Sequence, residues 1–114
     1  PKLIQVEADM SALDWTGCKE ILILNEQGSG FFRKYFDSDG FALFDKQIGA
    51  WEQVKAEEAS MSDVRGNLAF TLKNKNRAQL YRGSERVKGR FSWAGLNYSL
   101  SKDVRFFSYE IVVK

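Results

Sequence analysis

Apolar and polar residues alternate with a period of two along most of the chain. Leu68, Phe70 and Leu72 alternate with Asn67, Ala69, Thr71 and Lys73, which puts the larger apolar groups on one face of a strand. Leu96, Tyr98 and Leu100 do the same against Asn97, Ser99 and Ser101, and Val87, Phe91 and Trp93 oppose Lys88, Arg90 and Ser92. The run from Val104 to Val113 is β-branched and aromatic, with Phe107, Tyr109, Ile111 and Val113 on one side and Phe106 on the other. Four further strands are expected at Lys2 to Ala8, Lys19 to Asn25, Phe31 to Phe36 and Phe41 to Asp45.

Turn chemistry punctuates these runs. Asn25 to Gly30, Asp37-Ser38-Asp39-Gly40, Lys73 to Asn76, Gly83-Ser84-Glu85, Ala94-Gly95 and Ser101-Lys102-Asp103 supply the Gly, Asn, Asp and Ser that tight turns prefer. Gly49 to Gly66 breaks the pattern. Its Ala, Glu, Lys and Gln favour helix, and Ala50, Val54 and Met61 fall near one helical face. One short helix is expected there, with a strand through Trp51-Glu52-Gln53-Val54 as the alternative. The expectation is one domain over 1–114, all-β and mainly antiparallel. It would be a small β-barrel or two-sheet β-sandwich with at most one or two short helices.

Composition removes several chemistries. The chain has 114 residues, one cysteine and no histidine. Cys18 therefore has no partner for an internal disulfide, and triads or zinc sites that need an imidazole are excluded. No apolar run approaches the roughly 20 residues of a membrane-spanning helix. The opening residues lack a secretory h-region, and the lone thiol suits a reducing compartment, so a cytoplasmic location is expected. No cofactor is implied.

Charge is the lead. Residues 1–63 carry six Lys and Arg against twelve Asp and Glu, a net of −6. Residues 64–114 carry eleven against three, a net of +8, so the overall +2 conceals two opposed halves. Either the halves neutralise each other in the fold or the basic one meets a polyanion. Lys73, Lys75, Arg77, Arg82, Arg86, Lys88 and Arg90 crowd one stretch, with only Glu85 opposing. Clustered cations bind phosphate backbones by releasing condensed counterions, and adjacent rings stack bases. Tyr81 and Phe106 are the rings expected beside such a groove, with Phe91 and Trp93 mainly inside. Lys88 and Arg90 are expected on one strand face.

Other constellations point to structure. Asp37-Ser38-Asp39-Gly40 opens like a calcium loop but lacks the later ligands of an EF-hand, so a hairpin turn is expected. Glu52, Glu57, Glu58 and Asp63 read as a solvated acidic face rather than a metal site. An N-terminal Pro1 amine would suit tautomerase chemistry, but the chain lacks the βαβ unit that goes with it. Cys18 has no base to activate it and is expected as a small buried apolar residue. Phe31-Phe32-Arg33-Lys34-Tyr35-Phe36 and Phe106-Phe107 put rings on both strand faces, and the spare ones need cover, a partner or a ligand.

Asp9-Met10-Ser11-Ala12-Leu13 followed by Ile21-Leu22-Ile23-Leu24 resembles the opening of jelly-roll carbohydrate-binding modules of the galactose-binding type. Trp51 to Val54 and Tyr109 to Val112 fit later strands of that pattern, and the likeness covers about a quarter of the chain. It implies sugar binding as an alternative function.

The function expected is that of a non-catalytic protein binding single-stranded nucleic acid or another polyanion through residues 73–90. A ribonuclease working without histidine is the catalytic alternative. The other reading is a protein-interaction module or homo-oligomer built on the spare aromatics and opposed charges. No membrane partner is expected.

Overall fold

The computed structural model describes residues 2–28, 31–102 and 104–114. Pro1 and parts of two expected turns, at Ser29, Gly30 and Asp103, lie outside them. Two antiparallel sheets face each other across one apolar core. The strands are β1 (Lys2–Asp9), β2 (Ile21–Ile23), β3 (Glu26–Gly28), β4 (Lys34–Asp37), β5 (Gly40–Leu43) and β6 (Glu52–Gln53). After them come β7 (Glu58–Ser62), β8 (Ala69–Lys73), β9 (Ala78–Val87), β10 (Arg90–Leu100) and β11 (Phe106–Val113). One sheet runs β1-β11-β8-β7-β4-β5 and the other β2-β10-β9-β6, with β3 also on β10. Neither sheet closes on itself, so the sandwich stands and the barrel does not.

The large apolar residues of 96–100 and 107–109 land where alternation puts them, whereas Val87 is 51% exposed. Leu96, Tyr98, Leu100, Phe107, Tyr109 and Leu72 are buried between the sheets. Tyr98 packs its ring 5.1 Å from Phe107 and 5.0 Å from Tyr109. Each buried phenol keeps a partner: Tyr98 donates to the Lys73 carbonyl, Tyr109 to Asn25 and Tyr35 to Asp37. Burial pushes all three phenols above their ordinary range; for Tyr35 the hydrogen bond and charge of Asp37 add to it, and for Tyr98 the neighbouring Tyr109 does.

The expected helix within 49–66 is corrected. That segment contains β6 and β7, and the helix lies earlier, as one turn, α1 (Phe44–Gln47). Tertiary contacts override local propensity here. Asn74 donates to the carbonyls of Val54 and Ala56 at 2.9 and 2.7 Å, and Val54 N–H donates to Leu80. These bonds hold residues 54–56 against β9 and the 74–80 segment in place of a helix. In β7, Ala59 and Met61 join the core, so the segment reads with period two after all. The helix also cuts short the strand expected through Asp45, which ends at Leu43. Phe44 is fully buried there, and the Leu43 N–H donates to the Gln47 side chain at 2.8 Å.

Two expected turns are strand throughout, and a third, Asn25 to Gly30, contains β3 at Glu26–Gly28. Gly83-Ser84-Glu85 lies within β9 and Ala94-Gly95 within β10, with Gly83 directly opposite Gly95. A Cβ on Gly83 would stand 2.2 Å from the Ala50 carbonyl oxygen, and one on Gly95 would stand 2.8 Å from that of Asn25. These glycines admit a crossing backbone rather than bend the chain. The real turn is Lys88-Gly89, both at positive φ.

Candidate functional site

The long β9–β10 hairpin sorts the seven cations of 73–90. Lys73, Lys75 and Arg77 stand at its open end, the last in the turn before β9 at φ 66°. Arg86, Lys88 and Arg90 stand at its tip. Eight residues of β9, Ala78 to Glu85, separate the groups, about 30 Å of extended strand from Arg77 to Arg86. The two groups do not share one face. Lys88 sits in the turn, so it does not share a strand face with Arg90.

Arg82 belongs to neither group. It points between the sheets, where Nε and Nη2 donate to Glu52 Oε1 at 3.1 and 3.0 Å. Its guanidinium lies 4.5 Å from the centre of the Tyr35 ring, and Tyr35 in turn donates to Asp37. This network walls a cleft of about 280 Å³ whose lining includes Asp39, Phe41, Gln53 and Lys55. A guanidinium so engaged holds the two sheets together and is poorly placed to meet a phosphate backbone.

The hairpin tip gathers cations from elsewhere in the chain. Arg86 donates to the Asp45 carbonyl of α1, next to Lys46. Arg33 approaches the Asp45 carboxylate at 3.8 Å and lies 5.8 Å from the centre of the Phe91 ring. Arg33 and Arg86 therefore meet on Asp45, with Lys46 next to it in α1 and Lys88 and Arg90 at the turn of the hairpin. The carboxylates nearby are occupied, Asp45 by Arg33 and Glu85 by the Trp93 indole N–H at 2.6 Å. Asp45 Oδ1 is buried without a hydrogen-bond partner among the described residues.

A β-bulge sets the rings of this pole. The β9–β10 register shifts between Phe91 and Trp93, and one extra residue reverses which side chains face inward. Phe91 packs on the core. Trp93, paired with Glu85, faces outward, so the two rings expected inside together lie on opposite faces. Alternation alone could not show this, because a bulge has no obligatory residue type.

Tyr81 and Phe106 are kept apart. Tyr81 stands on the outer face of the smaller sheet, its ring stacked 4.7 Å from that of Trp51. Phe106 projects from the outer face of the larger sheet, opposite Asp9 and 69% exposed. They line no common groove. Cys18 is half-buried, its thiol donating to the Glu20 carbonyl at 3.3 Å.

The opposed halves interleave as well. Glu52 meets Arg82, and Glu58 pairs in register with Lys73. Glu52–Arg82 pairs the two halves mid-sheet, whereas the Asp45–Arg33 pair at the tip lies within the acidic half. Among the described residues no group of three or more His, Cys, Asp or Glu is placed to hold a metal ion, and no helix is long and apolar enough to cross a membrane. No family model, curated protein or solved structure matches the chain.

Proposed function

We propose that the chain is a non-catalytic binding protein that takes a polyanion, single-stranded nucleic acid by preference, on the tip of the β9–β10 hairpin. One observation carries the reading: Arg86, Lys88 and Arg90 stand together at the tip with Lys46 near by, while Asp45 is already paired with Arg33 and Glu85 accepts from the Trp93 indole. Phe31, two residues before Arg33, is 62% exposed, and Trp93 offers a ring on the other face of the hairpin, away from the one that Arg33, Arg86 and Phe91 share. Cations that track a backbone beside rings that stack bases are the recurring parts of a single-strand site. The Lys73, Lys75 and Arg77 group at the far end acts as a weaker second contact.

Fluorescence anisotropy with a labelled oligothymidylate tests this. Three phosphate contacts through Arg86, Lys88 and Arg90 give a slope of about −2 for the logarithm of affinity against the logarithm of salt. Changing all three to Ser flattens that slope, and the Lys73, Lys75 and Arg77 triple to Ser leaves most of it. The oligonucleotide is recovered intact. Absence of binding at low salt, or binding indifferent to the tip triple, ends the proposal.

A second reading, contact with another protein or another copy, rests on the outer face of the larger sheet. Cross-strand register lines up Phe41, Phe36, Ser60, Thr71, Val112 and Leu3 in one row. Phe41 and Leu3 are each 59% exposed. A concentration-dependent mass in light scattering, lost on Phe41→Ser, supports that reading; a monomer at every concentration counts against a second copy.

A further inference from the structure

At the β1 edge the two sheets leave an apolar cavity of about 190 Å³ between them, walled chiefly by Ile4, Met61, Phe70, Leu72, Leu96 and Ile111. Asn25 and Gln27 are its polar lining. The registers of β2 and β3 on β10 are continuous, which sets Asn25 opposite Leu96 and turns its side chain inward. Three bonds fix Asn25 in place. Its N–H donates to Asn97 Oδ1 at 2.9 Å, its carbonyl accepts from Leu96 N–H, and its Oδ1 accepts from the Tyr109 hydroxyl at 3.0 Å. Nδ2 is then left buried with no hydrogen-bond partner among the described residues.

An orphaned buried donor is rare and costly, and one in the wall of an apolar cavity is the feature that orients a ligand. Dry apolar cavities of roughly 150 Å³ admit a benzene-sized molecule, whereas a water there needs two to four polar partners. Access is provided by Ile4, which faces the cavity yet is 48% exposed because β1 is the sheet's edge. We propose that this cavity binds a small apolar molecule carrying one hydrogen-bond acceptor, a ketone or aldehyde carbonyl above all. Asn25 Nδ2 donates to the carbonyl oxygen, and the aliphatic walls hold the rest. The site is separate from the hairpin tip, and either proposal stands if the other fails.

Acetophenone and α-methylstyrene, which replaces the carbonyl oxygen by a methylene, are the probes. Binding is followed in ¹H–¹⁵N and methyl spectra of the intact chain. Acetophenone is expected to saturate, to shift the Asn25 side-chain amide and the methyls of Ile4, Leu72 and Ile111, and to bind about tenfold tighter than the hydrocarbon. Asn25→Leu removes that preference while hydrocarbon binding persists. Ile4→Trp, at an exposed edge position that tolerates bulk, blocks both probes with the fold intact. No binding, equal binding of the two probes to the unaltered chain, or shifts away from these residues overturns the proposal.

Discussion

Gly83→Ala places one methyl group where the chain crosses itself. In this strand a Cβ would stand 2.2 Å from the Ala50 carbonyl oxygen and 3.1 Å from its carbon. Ordinary contact is roughly 3.5 Å, so the crossing segment must retreat by about 1 Å. That segment is anchored by its own bonds. Ser84 N–H donates to the Gly49 carbonyl at 2.9 Å, Ser84 Oγ donates to that of Ile48 at 2.9 Å, and Trp51 stacks on Tyr81. Overpacking together with the loss of one such bond costs about 3 kcal/mol. At this chain length that lowers Tm by about 12 °C. Gly28→Ala is the control: its Cβ meets nothing within 4 Å, and the change stays within about 1 kcal/mol. Thermal unfolding followed by circular dichroism and by tryptophan fluorescence reads both. A Gly83→Ala protein as stable as the Gly28→Ala one would mean that no backbone crosses at residue 83, and the packing derived for the smaller sheet would be wrong.

Asn74→Ala strips these partners from the Ala56 carbonyl and from Leu80 N–H, while the Val54 carbonyl keeps Gln79 Nε2 at 3.0 Å, so urea unfolding should show a loss of about 2–4 kcal/mol with an unchanged m-value. Tyr35, Tyr98 and Tyr109 have pKa values raised by folding, so the folded state holds its phenolic protons more tightly than the unfolded one. That stability is fully present below the unfolded value near 10 and is lost as pH rises above it. The tyrosinate absorbance of these three residues should therefore appear together with unfolding, and tyrosinate formed stepwise in a folded chain would refute the burial account. Glu52→Gln should cost under about 1 kcal/mol, because the pair with Arg82 is partly exposed, and a larger loss would mark the Arg82 network as the main tie between the sheets.

Alternation was legible where large apolar side chains take one face and small or polar ones the other, even where, as at Asn97, the polar one is itself buried. The runs at 68–72, 96–100 and 107–113 could be assigned in face as well as type, because a one-residue slip would invert every side chain. Three features were not legible, each for a non-local reason. Gly83 and Gly95 carry turn chemistry, but they serve a crossing backbone that no neighbouring residue announces. The segment 49–66 has helical composition, yet bonds from Asn74 hold residues 54–56 against the 74–80 segment. The bulge after Phe91 reverses facing without a sequence marker, and it sends Trp93 outward. The candidate site divides in the same way. Its cations on β9 and β10 could be named from the charge run, but the run gave no sign of their separation into two groups. Nor did it show that Arg33 and Lys46, from the acidic half, join the tip, since α1 brings them there through Asp45.

The most direct test of the hairpin-tip site is a ¹H–¹⁵N titration of the intact chain with a short oligothymidylate at low salt. Saturable shifts are expected at Arg86, Lys88, Arg90, Arg33 and the Trp93 indole N–H, with Lys75 and Arg77 weakly affected. Largest shifts at Lys73 to Arg77, or no saturable shift at the tip, would contradict the account.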